Sequence, residues 1–236
     1  PALSARQRSA LAQGIARTKG EVARALLLAA LPALVAQVKR DPTGAGVHVL
    51  REALLGLAGR TLSRARRARL GVLRHEFAPA TGDSAVLLRR KAWLRCAFSR
   101  ALGKTDGCEG PERVHAMVGA GAKADDLRKF LGAGAPPMLR MAALRALGGN
   151  LTAADVATGL AGSDRPTAAT VAELINSHDD IYKRAREQSS VVSAVRRHYQ
   201  AALAGRDWEP AQVLLTAWHR LDQRGAPLEQ ALASEN

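Results

Sequence analysis

Apolar residues recur at helical spacing along almost the whole chain, and this pattern limits the fold more than any other feature. Leu27, Leu31, Leu34 and Val38 illustrate it, because positions three and four apart share one face of a helix. No segment alternates apolar and polar residues with the β-branched enrichment of a strand. We therefore predict an all-α fold, a multi-helix bundle or irregular α-solenoid of about 9–11 helices without a sheet.

The apolar side chains of this protein are mostly small. Hydrophobic residues make up 47% of the 236 residues, whereas aromatic residues make up only 3%. Such an apolar content is ordinary for a globular protein and argues against wholesale disorder. Ala and Leu have high helix propensity, and small side chains allow helices to approach closely, so the composition favours helix-on-helix packing.

Turn-forming residues divide the chain into helical segments. Residues 47–74 carry one long amphipathic pattern and predict a single helix, and residues 84–102 predict another that Asp83 or Ser84 caps. The most loop-like segment is GKTDGCEG at residues 103–110. We place a boundary there, between a basic N-terminal helical domain (residues 1–104) and a C-terminal helical domain (residues 111–236), with one continuous domain as the alternative.

Positive charge is concentrated in one quarter of the chain. The protein has 35 Lys and Arg against 21 Asp and Glu, a formal net charge of +14. Residues 45–104 hold thirteen of the basic residues and only three acidic ones, which are Glu52, Glu76 and Asp83. Like charges packed this closely repel one another, so the pattern indicates a polyanionic partner. Nucleic acid is the leading candidate, and a membrane surface is the competing polyanion.

Arginine dominates the basic segments, and its guanidinium holds phosphate oxygens in a bidentate way that Lys cannot match. Arg60, Arg64 and Arg67 fall on one face of the predicted helix and would span about 10 Å. Trp93 lies among basic residues, where it would either stack on an unpaired base or anchor the core. The predicted contact residues are Arg60, Arg64, Arg66, Arg67, Arg69, Arg74, Arg89, Arg90, Lys91, Trp93, Arg95, Lys183, Arg184, Arg196 and Arg197. The alternative is a solvated face whose charges pair with acids elsewhere in the fold.

The two cysteines, Cys96 and Cys108, argue against a disulfide framework and indicate a reducing compartment. We expect a cytoplasmic protein, or one in another reducing compartment such as a nucleoid, an organelle matrix or a virion interior. The longest apolar run, residues 23–38, is interrupted by Arg24, Pro32 and Gln37. We therefore expect no membrane span.

Two sets of segments resemble known helical families. Residues 49–59, 87–95 and 138–148 share a Leu-Arg pair and an Ala/Leu stripe. They resemble the second helix of HEAT-type repeats, which implies a solenoid with a binding face, although an ordinary amphipathic helix gives the same pattern. Residues 152–157 (TAADVA) and 170–176 (TVAELIN) are similar to the helix-turn-helix of LacI-type repressors, which implies DNA reading by the second helix. Two packed core helices are the alternative.

No segment carries a recognisable catalytic or metal motif. The histidines form no His-x-x-x-His pair, and the two cysteines form no Cys-x-x-Cys pair. Residues 103–105 end like a phosphate-binding loop, but Phe98 stands where the first Gly of that motif is required. We therefore assign no metal, no cofactor and no catalytic residue.

The leading hypothesis is a non-catalytic protein that binds the backbone of nucleic acid, with RNA favoured over DNA. It would act as a subunit of a larger ribonucleoprotein or nucleoprotein assembly and would have protein partners there. One alternative is an enzyme similar to helical-repeat DNA glycosylases, against which the scarcity of aromatic residues counts. The other is a helical scaffold that binds proteins and no nucleic acid, its charge reflecting an Arg- and Ala-rich genome.

Overall fold

The computed structural model describes Gly14 and residues 20–59, 61–162 and 164–222. Within these residues the chain forms twelve α-helices and one 3₁₀ turn and contains no strand, so the all-α prediction is confirmed. The chain divides into two compact units, residues 1–121 and residues 122–236.

Residues 20–59 and 61–121 of the N-terminal unit, as the structure describes them, form five helices: α1 (Glu21–Arg40), α2 (Gly46–Leu57), α3 (Arg64–His75), α4 (Ala85–Ala101) and α5 (Gly110–Gly119). Helix α2 packs on α1, and α4 packs on α2, α3 and α5. Its core is built from Leu and Val side chains and one stacked aromatic pair, Phe77 and Phe98, whose ring centroids lie 5.8 Å apart. Burial of these side chains is the main stabilising contribution in the unit.

The predicted single helix over residues 47–74 is wrong, because the chain breaks between α2 and α3. Gly59 adopts φ 71°, a left-handed conformation that glycine reaches without steric cost. Ser63 then caps α3, and its hydroxyl accepts a hydrogen bond from the backbone N–H of Arg66 at 3.4 Å. The expected apolar stripe is only partly buried beyond the break: Leu62 is buried and Leu73 packs against the core, whereas Val72 is 65% exposed.

The loop at residues 103–110 belongs to the N-terminal unit. Cys96 of α4 forms a disulfide with Cys108 in this loop, the Ser99 hydroxyl donates to the backbone oxygen of Asp106 at 2.6 Å, and α5 packs on α4. The division between the units therefore falls after Gly121 and not in the loop. The expectation of no disulfide framework also needs correction: one bridge requires only two cysteines, and the turn after α4 brings them together. Cysteine usage therefore no longer argues for a reducing compartment.

Helix α1 is long and apolar enough to cross a membrane, by length and composition alone. The core helix of a soluble protein passes the same test, and five α1 residues are buried against the rest of the N-terminal unit. The outer side of its first turns is apolar, with Val22 74% and Leu26 52% exposed. The length and composition of α1 are therefore only weak evidence for a membrane span.

The C-terminal unit contains seven helices within the described residues: α6 (Ala124–Arg128), α7 (Pro137–Leu147), α8 (Ala153–Ala161), α9 (Arg165–Ser177), α10 (Asp179–Arg186), α11 (Ser189–Ala204) and α12 (Trp208–Leu221). Helix α9 is central and packs on α7, α8, α10, α11 and α12. Gly159 lets α8 approach it closely, because a Cβ at this position would lie 2.7 Å from a Val171 methyl group. The unit is therefore built around one buried helix.

The buried carboxylate of Asp155 joins α6 to α8. Burial acts to raise its pKa, but hydrogen bonds from the Thr152 backbone N–H at 2.8 Å and from the Arg128 guanidinium at 3.0 Å outweigh it, so the pKa lies below its usual value. Thr152 and Asp155 form a reciprocal capping box at the start of α8. The Asp155 carboxylate therefore has a structural role, and it is not among the predicted contact residues.

The segments that resemble a helix-turn-helix fall on α8 and α9. Thr170, Val171, Leu174 and Ile175 of α9 are all buried, so the residues expected to include a reading surface contribute to the core. The Arg220 guanidinium of α12 donates to backbone oxygens at the end of α9. This arrangement adds no support for a helix-turn-helix or for HEAT-type repeats.

Candidate nucleic-acid interface

Four of the first six residues of α3 are arginines, and all four are exposed: Arg64, Arg66, Arg67 and Arg69. We refer to them as the α3 cluster. None of their side chains forms a hydrogen bond or ion pair with another residue in the described part of the chain. Arg64 and Arg67 are three residues apart, as are Arg66 and Arg69, so each pair is adjacent on the helix surface. The cluster extends about 7.5 Å along the helix axis, somewhat less than the span predicted with Arg60.

The position of the α3 cluster on its helix is electrostatically unfavourable for an isolated protein. The N-terminal turn of a helix carries partial positive charge, and a cation placed there costs about 0.3–1 kcal/mol. No acidic residue lies in the first turn of α3 to offset this. A bound anion would relieve both the repulsion between the arginines and the unfavourable interaction with the helix dipole.

The acidic residues of the basic quarter are engaged elsewhere. Glu52 pairs with Arg51 at 3.1 Å. Glu76 pairs with Lys39 at 2.6 Å, and Asp83 pairs with Lys91 at 2.7 Å. No carboxylate of this quarter therefore pairs with the α3 cluster. The alternative of pairing with acids elsewhere in the fold also finds no such ion pair among the described residues.

Two predicted contact residues, Arg60 and Arg74, lie near the ends of the cluster in the sequence, and the structure describes only Arg74. Arg60 lies outside the described residues. Arg74, at the other end of α3, is paired with the Asp106 carboxylate at 2.5 Å, and its side chain is 15% exposed. It also donates to the backbone oxygen of Asp106 at 3.2 Å. Arg74 therefore holds the 103–110 loop against α3, and its role as a nucleic-acid contact stays a prediction.

The basic residues of α4 separate into anchored and free side chains. The Lys91 ammonium pairs with the Asp83 carboxylate, whose side chain is 8% exposed. Hydrogen bonds from the Lys91 ammonium and from the Ala80 backbone N–H hold the pKa of the Asp83 carboxyl below its usual value. The Arg90 guanidinium donates to the backbone oxygen of Pro42 at 3.2 Å. Both side chains are therefore engaged within the N-terminal unit, and their role as nucleic-acid contacts stays a prediction.

Arg89 and Arg95 of α4 are the free members of this group. Neither has an ion-pair or hydrogen-bond partner for its side chain among the described residues. Arg89 is exposed, whereas Arg95 is half-buried. Arg89 is therefore the α4 residue best placed to receive an anion.

Trp93 is half-buried and lines a cavity of about 500 Å³ on the same face of α4 as Arg89. The Arg51 guanidinium lies over its ring, 4.5 Å from the centroid, and the His48 ring meets it edge-on at 5.3 Å between centroids. Trp93 is thus fixed in orientation without being sealed in the core. It packs against the core, and its role in stacking on an unpaired base stays a prediction.

The predicted basic patch of the C-terminal unit is partly used within the fold. Arg184 donates to the backbone oxygens of Gly149 and Leu151, which ties α10 to the turn before α8. Arg197 donates to the backbone oxygen of Leu160 at 3.4 Å. The Arg196 guanidinium lies 5.5 Å from the centroid of the buried Trp218 ring. Lys183 is exposed and has no partner among the described residues.

Sequence reasoning missed His48, Val86 and Glu109, which line the cavity beside Trp93. The spacing of Val86, Arg89 and Trp93 on one face of α4 was the available indication, but the loop and α5 residues come close only in the folded unit. Among the described residues, no group of three or more His, Cys, Asp or Glu side chains is arranged to hold a metal ion. No protein-family model matches the chain, and neither a curated protein nor a solved structure is significantly similar to it.

Proposed function

We propose that the N-terminal unit binds the phosphate backbone of nucleic acid through the α3 cluster. The observation that carries this proposal is the exposure of four arginines on six consecutive residues, with no acidic partner among the described residues. Their guanidinium groups offer paired donors to phosphate oxygens, and the helix dipole favours the same negative charge. Contacts of this kind hold the backbone and carry little sequence information.

The C-terminal unit supports a smaller contribution to binding. Lys183 has no partner in the part of the chain that the structure describes, and Arg196 and Arg197 are exposed although each also makes a contact within the unit. Their alkyl stems are positioned by these contacts, so a phosphate would meet charges that are already partly ordered. We assign the larger share of affinity to the α3 cluster because its four side chains are free.

The proposed role is that of a non-catalytic, backbone-binding subunit of a larger nucleoprotein assembly, with RNA the favoured nucleic acid. Exposed apolar side chains support the involvement of protein partners. Val22 and Leu26 lie on α1 of the N-terminal unit, and Met138 and Trp208 lie on the C-terminal unit, where they are 61% and 68% exposed. Val22 and Leu26, four residues apart on α1, share one helix face, and exposed apolar patches are typical of protein-protein contacts.

A charge-matched pair of variants tests the proposal. In the α3 variant, Arg64, Arg66, Arg67 and Arg69 are all changed to Ala; in the control, four exposed basic residues elsewhere, Arg40, Lys123, Lys129 and Arg145, are changed to Ala. Both variants lose the same formal charge, and Ala at the α3 positions preserves the helix because it has the highest helix propensity.

Fluorescence anisotropy with labelled single-stranded and double-stranded RNA and DNA gives the readout at low salt. We expect the α3 variant to lose most of the affinity and the control to keep most of it. Equal losses in the two variants would mean that only net charge matters and would refute a defined site. Failure of the wild-type protein to bind any of the oligonucleotides, with binding to anionic vesicles instead, would replace nucleic acid by a membrane surface.

A further inference from the structure

The cavity beside Trp93 has the size and lining of a small-ligand site. Its volume of about 500 Å³ falls in the range of such sites, which is about 300–1,000 Å³. The cavity is lined by Val86, Arg89 and Trp93 of α4, by His48 of α2, and by Glu109 at the start of α5. All of these residues belong to the N-terminal unit.

The tryptophan in this cavity is ordered in advance. Arg51 holds its ring from above and is itself fixed by Glu112, with 2.7 Å between guanidinium nitrogen and carboxylate oxygen. Glu112 also pairs with Arg100 at 2.6 Å, so its charge is neutralised within the fold. A planar ring that enters the cavity would therefore meet an aromatic surface that needs no reorganisation. Stacking of a nucleobase on such a surface contributes about 1–3 kcal/mol.

Two further side chains match the polar parts of a nucleotide. Arg89 is exposed without a partner among the described residues, which suits a phosphate at the rim. Glu109 is likewise exposed without a partner there, and its carboxylate would accept a hydrogen bond from an exocyclic amino group. A base within a duplex has its faces stacked and its amino groups paired, so the arrangement fits an unpaired base.

The turn after α4 connects this cavity to the α3 cluster. Arg67 borders a cavity with Gly103 at one end of the turn, and Gly107 borders the Trp93 cavity at the other end. Four residues of chain span at most about 14 Å, a distance that a few nucleotides cover. One strand therefore has a short path from the arginines to the tryptophan.

We propose that the Trp93 cavity accepts one unpaired nucleobase, with an exocyclic amino group, of a single strand whose phosphates contact the α3 cluster. This inference rests on the proposed function and makes it more specific, because it predicts a preference for single strands over duplexes. The proposed ligand is a base that belongs to a nucleic-acid strand. A free nucleotide could supply the same base and is the alternative ligand.

Two labelled probes of about 12 nucleotides separate the base from the backbone. One is oligodeoxycytidylate, and the other has the same phosphates but abasic sugars throughout. We expect the wild-type protein to bind the cytosine probe about 5- to 150-fold more tightly, the ratio that stacking of one base supplies. Trp93→Ala should abolish this ratio and leave the affinity for the abasic probe unchanged.

Val86→Met provides a second variant that does not disturb the core, since Val86 is 56% exposed and the longer side chain occupies cavity space without adding an aromatic ring. It should also abolish the ratio, whereas the α3 variant should weaken both probes alike. Equal wild-type affinities for the two probes would overturn the cavity proposal and leave backbone binding intact; binding of neither probe would overturn the proposed function itself. Displacement of the cytosine probe by CMP at an equal concentration would identify a free nucleotide as the ligand and overturn the strand-borne base.

Discussion

Replacing Arg66 by Glu should stabilise α3 while it weakens nucleic-acid binding. Arg66 occupies the third position of the helix, and its backbone N–H already donates to the Ser63 hydroxyl at 3.4 Å. A Glu at this position would complete the reciprocal capping box, because its carboxylate reaches back to the N–H of Ser63. The substitution would also replace a cation by an anion at the positive end of the helix dipole.

The expected magnitude follows from these two effects. Reversal of the charge contributes about 0.3–1 kcal/mol for each of its two steps, and the added hydrogen bond contributes about 0.5–1.5 kcal/mol. Because such contributions are not additive in general, we expect a local stabilisation of about 1–2 kcal/mol. Hydrogen exchange of the α3 amides should then slow by about 5- to 30-fold.

Hydrogen-exchange mass spectrometry is the suitable assay, since it reports on α3 alone in a protein of two units. Arg66→Ala is the control, because it removes the cation without adding the capping carboxylate. The same samples measured by anisotropy should show weaker binding, with the slope of log affinity against log salt reduced by about 1. Exchange in Arg66→Glu that is no slower than in Arg66→Ala would refute the capping geometry. Slower exchange with undiminished binding would remove Arg66 from the interface.

Three further outcomes follow from the contacts within each unit. Replacing Cys96 and Cys108 by Ser should destabilise the N-terminal unit by about 2–3 kcal/mol, because the bridge closes a loop across 12 residues; an unchanged melting temperature would contradict this. Asp155→Asn should lower the free energy of unfolding at neutral pH by about 1–3 kcal/mol. The folded pKa of Asp155 lies below its unfolded value, so the difference in free energy of unfolding between wild type and variant should persist above about pH 4 and shrink as the pH falls further. Urea titrations at several pH values measure this difference. Gly159→Ala should destabilise the C-terminal unit by about 1–3 kcal/mol despite its better helix propensity, because its Cβ meets Val171; a urea midpoint above that of the wild type would show that α8 and α9 separate freely.

The sequence was sufficient for the helices whose limits depend on neighbouring residues. The helix that Ser84 caps begins and ends within a residue of its predicted limits, because the cap and the apolar spacing are both local. The break between α2 and α3 was missed although Gly59 and Ser63 provide local reasons for it. The apolar spacing continues across Gly59 and Ser63 and so predicts one helix where the chain forms two.

The candidate interface was predictable only in part, because the fate of a charged side chain depends on residues far away in the sequence. Arg74 meets Asp106, 32 residues later, and Arg90 meets the backbone of Pro42, 48 residues earlier. No periodicity in the sequence indicates such partners. Within the described residues the α3 cluster has no acidic partner, because the acids nearest to it in the sequence pair with other cations. Of these pairs, that of Glu76 with Lys39, 37 residues earlier, depends on the fold.

The salt dependence of binding tests the α3 cluster most directly. Affinity for a single-stranded oligonucleotide is measured over a range of salt concentrations for the wild type, the α3 variant and the charge-matched control. If all four arginines neutralise phosphates, the slope of log affinity against log salt should be smaller by about 3 in the α3 variant than in the wild type. The control should keep the wild-type slope. Parallel lines for the wild type and the α3 variant would contradict the assignment of these arginines to the nucleic-acid interface.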